Sequence, residues 1–153
     1  MLSGRLVRMV EDHADELANG VVADLQKDPR TSEYHKLSTA ELHHRIHDIY
    51  HNLDKWLVGE AGTLVEARYL GLGKRRASEG VPLSQVIYAL IQSKTHLFDY
   101  IRSARLFESA VELYEIQELR YLIDNFFDRA IYHTARAYEQ EQAAPRTASA
   151  LKP

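Results

Sequence analysis

Cysteine is absent from the 153-residue chain. That excludes a disulfide scaffold, a thiolate zinc site, an iron–sulfur cluster, a CxxCH haem attachment and a cysteine nucleophile. An excess of positive charge is missing as well: 19 basic residues stand against 22 acidic ones, a formal charge of −3. Nucleic-acid binding, which needs a basic surface to meet phosphates, is therefore not expected. No apolar run is long enough to span a bilayer, since the most apolar stretch, Val81 to Ile91, is short and interrupted. The first twenty residues carry charges every few positions and lack the apolar core of an export signal. No Asn-x-Ser/Thr sequon occurs. A cytoplasmic protein without membrane contact is the expectation.

Two-residue alternation and Asn-Gly or Asp-Gly hairpin turns are also missing, so strands are not expected. What is present is helical periodicity, in five segments. Val7, Val10, Ala14, Leu17 and Val21 mark a first helix from about Ser3 to Lys27, stopped by Asp28-Pro29, with a loop over Arg30 to Leu37. Ser38-Thr-Ala-Glu41 is a capping-box pattern and opens a helix carrying Leu42, Ile46, Ile49, Leu53 and Trp56 to near Gly59. Thr63-Leu-Val-Glu66 repeats the pattern and starts a third helix reaching about Glu79, with Gly80 as its C′ residue. Gly71 and Gly73 inside it imply close helix packing or a local break, because each weakens a helix by about 1 kcal/mol against alanine. Pro82 opens the fourth helix, which carries Leu83, Ile87, Leu90, Lys94, Leu97 and Ile101. A last stripe runs from about Ser109 to Glu141, with a short helix and a kink expected around Ile116. The fold class is all-α, a bundle of four or five helices. Residues 1–142 form one domain, long enough to bury about two-thirds of its unfolded surface, and the Ala/Pro/Thr/Ser-rich 143–153 reads as a disordered tail or linker. Near-heptad stripes on two helices suit a helix-mediated homodimer.

Histidine is the one residue type out of line. Protonating all eight moves the formal charge from −3 to +5, which raises pH or metal response. Four of them fall in ELHHRIHDIYH, where His43, His47 and His51 form a ladder at i, i+4 spacing on the flank and back of the second helix. Such a ladder suits Zn²⁺, Ni²⁺ or Cu²⁺; otherwise it is a solvated face or a dimer rim. A di-iron carboxylate site needs two Glu-x-x-His motifs, and Glu41/His44 alone has that spacing. For haem, which needs an axial ligand in an apolar pocket, the candidates are His96 and His133; the competing role is a hydrogen-bonded structural histidine. Lys94 interrupts an apolar stripe, which fits either a ligand-binding lysine or one paired to an acid such as Asp124 or Asp128. Gly73-Lys-Arg-Arg76 reads as a solvated basic patch. HExxH, GxSxG and P-loop patterns are absent, so no enzyme is expected and no cofactor is required, haem or a transition metal being the alternative. A pocket between helices offers room for a small-molecule ligand.

The stretches NLDKWL (52–57), EARYLGLGKRRASEGVPLSQVIYAL (66–90), KTHLFDYI (94–101) and FFDRAIYHTARAYE (126–139) carry a resemblance that covers Trp56 to Tyr138. The chain resembles the N-terminal domain of RsbRD-type RsbT co-antagonists, all-helical regulatory domains of bacterial signalling proteins. The Glu-Gly-Val-Pro-Leu-Ser-x-Val core is the most distinctive part. The resemblance implies a sensing or regulatory domain acting through protein–protein contacts, upstream of output modules such as STAS domains or histidine kinases. It supplies no catalytic residues. No output module is present here, which reads as a stand-alone regulator or as a domain parted from its output after Tyr138.

Overall fold

A computed structural model describes residues 2–57, 62–104 and 110–144. Among them the chain forms seven α-helices and one 3-10 segment, and no strand. The order is α1 (Leu2–Asp12), α2 (Ala14–Leu25), the 3-10 segment (Pro29–Lys36), α3 (Thr39–His51), α4 (Leu53–Leu57), α5 (Gly62–Ser78), α6 (Leu83–Ser103) and α7 (Ala110–Ala143). The all-α expectation holds, and the five periodic segments correspond to these helices with two of them broken. Most of the tail expected over 143–153 lies outside the described residues, as does the predicted helix end near Gly59.

The first break falls at His13, which leaves helical geometry at φ −107° and ψ 16°. Its ring Nδ1 lies 2.8 Å from the Met9 carbonyl and 3.0 Å from the Tyr100 hydroxyl of α6. No proline or glycine marks this position, so periodicity alone reads straight through it. The second break falls at Asn52, whose side-chain amide turns back to the Asp48 carbonyl and carboxylate. The expected loop after Asp28 is instead a pair of 3-10 turns kinked at Thr31. Thr31 is fully buried and donates its hydroxyl to the Leu25 carbonyl, which satisfies an acceptor at the end of α2. The kink expected near Ile116 does not occur: α7 runs unbroken for 34 residues.

Helix ends follow local chemistry. Ser38 caps α3 by accepting from the Glu41 amide. Thr63, by contrast, lies inside α5, and Glu66 pairs with Arg136 of α7 rather than reaching back. At the other end of α5 the Gly80 amide bonds to Ala77 and the Val81 amide to Arg76, the paired bonds of a Schellman turn. Gly80 stands at φ +75° with no atom near its absent side chain. Gly80→Ala therefore meets only the backbone penalty of the left-handed region and is expected to cost about 1 kcal/mol. Urea denaturation of both proteins reads that loss directly.

The most extensive helix pairing joins α5 to α7. A methyl group built on Gly73 would stand 2.2 Å from the Thr134 carbonyl oxygen, so glycine here is what lets the two helices touch. Gly71 has nothing within 4 Å. Beside this contact Trp56, Tyr69, Phe126 and Phe127 form an aromatic cluster, with Tyr69 and Phe127 each edge-on to Phe126. Tyr138 closes one end by donating its hydroxyl to the Val81 carbonyl.

Candidate functional site

The histidine ladder is present as a column of stacked rings. His43 and His47 have centroids 5.6 Å apart, His47 and His51 5.1 Å, with planes tilted 20° and 16°. His43 Nε2 also stands 3.0 Å from Asp15 of α2. Among the described residues no three His, Asp or Glu side chains converge as a metal site.

His96 and His133 sit apart from this column. His96 Nε2 pairs with Asp24 at 2.6 Å, and His133 packs edge-on to Tyr132 with its Nδ1 lacking a partner. Neither lines the cavity described below. Lys94 is partly buried and stands 3.4 Å from Asp124 of α7.

The polar centre of the molecule lies elsewhere, on the facing sides of α3 and α5. Val65, Tyr69, Leu72 and Arg76 are all buried at spacings of four, three and four, so Arg76 belongs to the buried stripe of α5. The reading of 73–76 as a solvated patch is thereby corrected: Arg76 is 1 % exposed. It donates to Glu41 at 3.0 Å and to Glu79 at 2.7 Å, and its guanidinium lies 5.5 Å from the Tyr34 ring centre. Glu41 accepts from Arg45 at 2.7 Å as well, so the second half of the capping box is spent on arginines. Arg75 approaches both Glu41 and Glu79. Arg68 bonds to the Asp48 carboxylate at 2.6 Å and the Arg45 carbonyl at 2.8 Å. It also lies over the Trp56 ring, whose Nε1 donates to the Asp48 carbonyl.

Burial and charge act against each other across this network. For Glu41 burial alone would raise the carboxyl, but hydrogen bonds from Arg76 and Arg45 prevail and hold it below the usual carboxylate value. Burial likewise opposes the Arg76 charge, yet Glu41, Tyr34 and Glu79 together hold it more firmly protonated than usual. Tyr34 and Tyr69 are each pushed up to about 12 by burial, against the opposing charges of Arg76 and Arg68. Both phenols therefore remain neutral donors at physiological pH.

Tyr34, Arg45, Arg68, Tyr69 and Arg76 line a small, partly open cavity of about 40 Å³ between α2, the 3-10 segment, α3, α5 and α6. Its wall is mostly apolar, with Leu42, Ile46, Leu72 and Leu90 among its members, and its polar members include Arg45, Arg68, Tyr69 and Arg76. The volume suits a group of a few heavy atoms and is far below the several hundred Å³ of drug-sized sites. The chemistry offered is binding, through fixed cationic and hydroxyl donors in apolar surroundings. The signal in the sequence was the position of Arg76 on an otherwise apolar stripe.

A model of the RsbT co-antagonist protein rsbRD N-terminal domain matches residues 11–150. The match extends beyond the Trp56 to Tyr138 stretch on which the resemblance was read. Comparisons with curated proteins and with solved structures each found no match.

Proposed function

The chain belongs to the family of RsbT co-antagonist rsbRD N-terminal domains, and from that premise we propose that it is a signal-input domain. It works without catalysis, pairing with a second copy of itself along α7 and passing a change in helix arrangement to a protein partner. A regulatory family is one whose members act on other proteins, and no helix among the described residues is long and apolar enough to cross a membrane.

The observation that carries the pairing is a row of exposed tyrosines on the longest helix. Tyr114, Tyr121 and Tyr132 are 68 %, 68 % and 62 % exposed. At 100° per residue they fall within about 20° of one line and span about 27 Å of helix. Aromatic residues presented in a row to solvent are the composition of an interface core, where tyrosine is enriched. The same stripe on a second chain is self-complementary under two-fold symmetry, which favours a second copy as the occupant. Helix α7 also holds the Gly73 contact with α5, so a shift in the bundle reaches the tyrosine row through rigid helix.

Sedimentation velocity over a range of concentrations is expected to show a dimer. Tyr114→Glu combined with Tyr121→Glu is expected to give a monomer with unchanged helical circular dichroism, because both side chains are already in solvent. A strict monomer at high concentration in the unmodified chain overturns the pairing.

A further inference from the structure

We infer that the His43 end of the histidine column is a site for a divalent transition metal, with Asp15 of α2 and His43 and His47 of α3 as its ligands. Two of these donors already stand at the separation one ion imposes. His43 Nε2 lies 3.0 Å from Asp15 Oδ1, and two ligands about 2.0–2.1 Å from one zinc ion stand about 3 Å apart. An ion set between them takes the place of their direct contact and needs no shift of either helix.

The third donor is one helical turn away. His43 and His47 share a face of α3 at i, i+4 spacing, and their ring centres are 5.6 Å apart. Two imidazoles on one tetrahedral ion have ring centres about 5 Å apart, given metal–nitrogen bonds of about 2.0–2.1 Å. The separation is thus close to that of a chelate, and orientation is what differs. The two rings lie 20° from parallel, and as they stand no three donors converge. Turning His47 about its Cβ–Cγ bond, a broad torsion, brings in its nitrogen at the expense of its stack on His51.

The ligand set selects the ion. Imidazole nitrogens suit zinc, nickel and copper, whereas magnesium and calcium take oxygen ligands. The Asp15 end is favoured over the His47–His51 pair because it is His43 that meets the carboxylate, and a carboxylate adds a negative ligand to neutral rings. The Asp15 side chain is 73 % exposed and that of His43 29 %, so the ion arrives from solvent and water completes its coordination. Asp15 is the second residue of α2, which starts just after the break at His13. Bound metal therefore ties the joint between α1 and α2 to α3. Use of that tie as a signal rests on the signal-input reading above; binding itself does not.

The test is calorimetric titration of the untagged full chain with Zn²⁺ and, separately, Mg²⁺, with thermal melts in each. Zinc is expected to saturate at one ion per chain and to raise the melting temperature, and magnesium to do neither. His43→Gln and His47→Gln are each expected to weaken zinc by about tenfold or more, and Asp15→Asn by about tenfold, while His51→Gln changes it less than about threefold. All four side chains are partly or largely exposed, so helical circular dichroism is expected to stay unchanged. No saturable zinc response, an equal response to magnesium, or equal zinc binding by His47→Gln (an adventitious ion only) would each overturn the site. So would a loss caused by His51→Gln but not by Asp15→Asn. Failure of zinc binding in a chain that still dimerises leaves the signal-input reading standing. Zinc binding by a chain that stays monomeric leaves the site standing and removes the pairing.

Discussion

Gly73→Ala is expected to destabilise the domain by about 1–3 kcal/mol, the range for forcing atoms into a packed interior. The added methyl would stand 2.2 Å from the Thr134 carbonyl oxygen and 3.0 Å from the Ala137 methyl. The first of these is helical backbone and cannot rotate away, so α5 and α7 must separate. Separation loosens the neighbouring aromatic contacts of Tyr69 with Phe126, which makes the loss larger than the helix-propensity gain of alanine. Gly71→Ala supplies the opposite sign, because nothing lies within 4 Å of that position. It is expected to stabilise by up to about 1 kcal/mol through helix propensity alone. Thermal melts separate the two, at roughly 2–4 °C per kcal/mol for a chain of this size. Equal effects at both positions would show that α5 and α7 do not depend on the close approach.

Glu41→Leu is expected to cost about 3 kcal/mol, as breaking a buried ion pair does. The carboxylate serves Arg45, Arg75 and Arg76 together, and removing it leaves Arg76, at 1 % exposure, with Glu79 as its remaining acid. Adding Arg76→Met is expected to recover much of the loss, since replacing both members of a buried pair by apolar groups is often close to neutral. A loss below about 1 kcal/mol would place the pair with exposed salt bridges instead. The pH dependence has a definite sign. Glu41 is held below its usual value of 4.5, so its contribution is complete above that value. It disappears as the pH falls through the lowered folded value, where the native carboxylate takes up its proton. Acid unfolding monitored by circular dichroism should thus show a flatter acid limb in Glu41→Leu than in the parent chain.

Much of the bundle was legible because helix formation is local. The Ser38 cap, the Gly80 turn and the stripes of α3 and of α7 from Leu119 onward each depend on residues within a few positions of one another, and each stands where spacing places it. On α6 the buried face is turned from the expected one: Leu90, Leu97 and Ile101 are buried as expected, but Val86, Ala89 and Ser93 take the places of Leu83, Ile87 and Lys94. The misses share a different cause. The break at His13 is stabilised by Tyr100 of α6, far along the chain, and no local residue announces it. The continuity of α7 through Ile116 likewise contradicts a kink read from local pattern. Histidine drew attention by its abundance, yet an unusual count says nothing about where ring nitrogens point; three of the eight became a stacked column.

By itself, the sequence determined the all-α class, the five helical segments, the exclusion of thiol chemistry and the family resemblance that the family model extends. Tertiary structure alone decided which charges are interior. Arg76 and Lys74 are two residues apart in one basic tetrad, but one is buried against Glu41 and Glu79 while the other is exposed. The physical reason is that a charge is tolerated inside only where partners from other elements meet it. Those partners here are Glu41 of α3 and Glu79, the residue that follows α5.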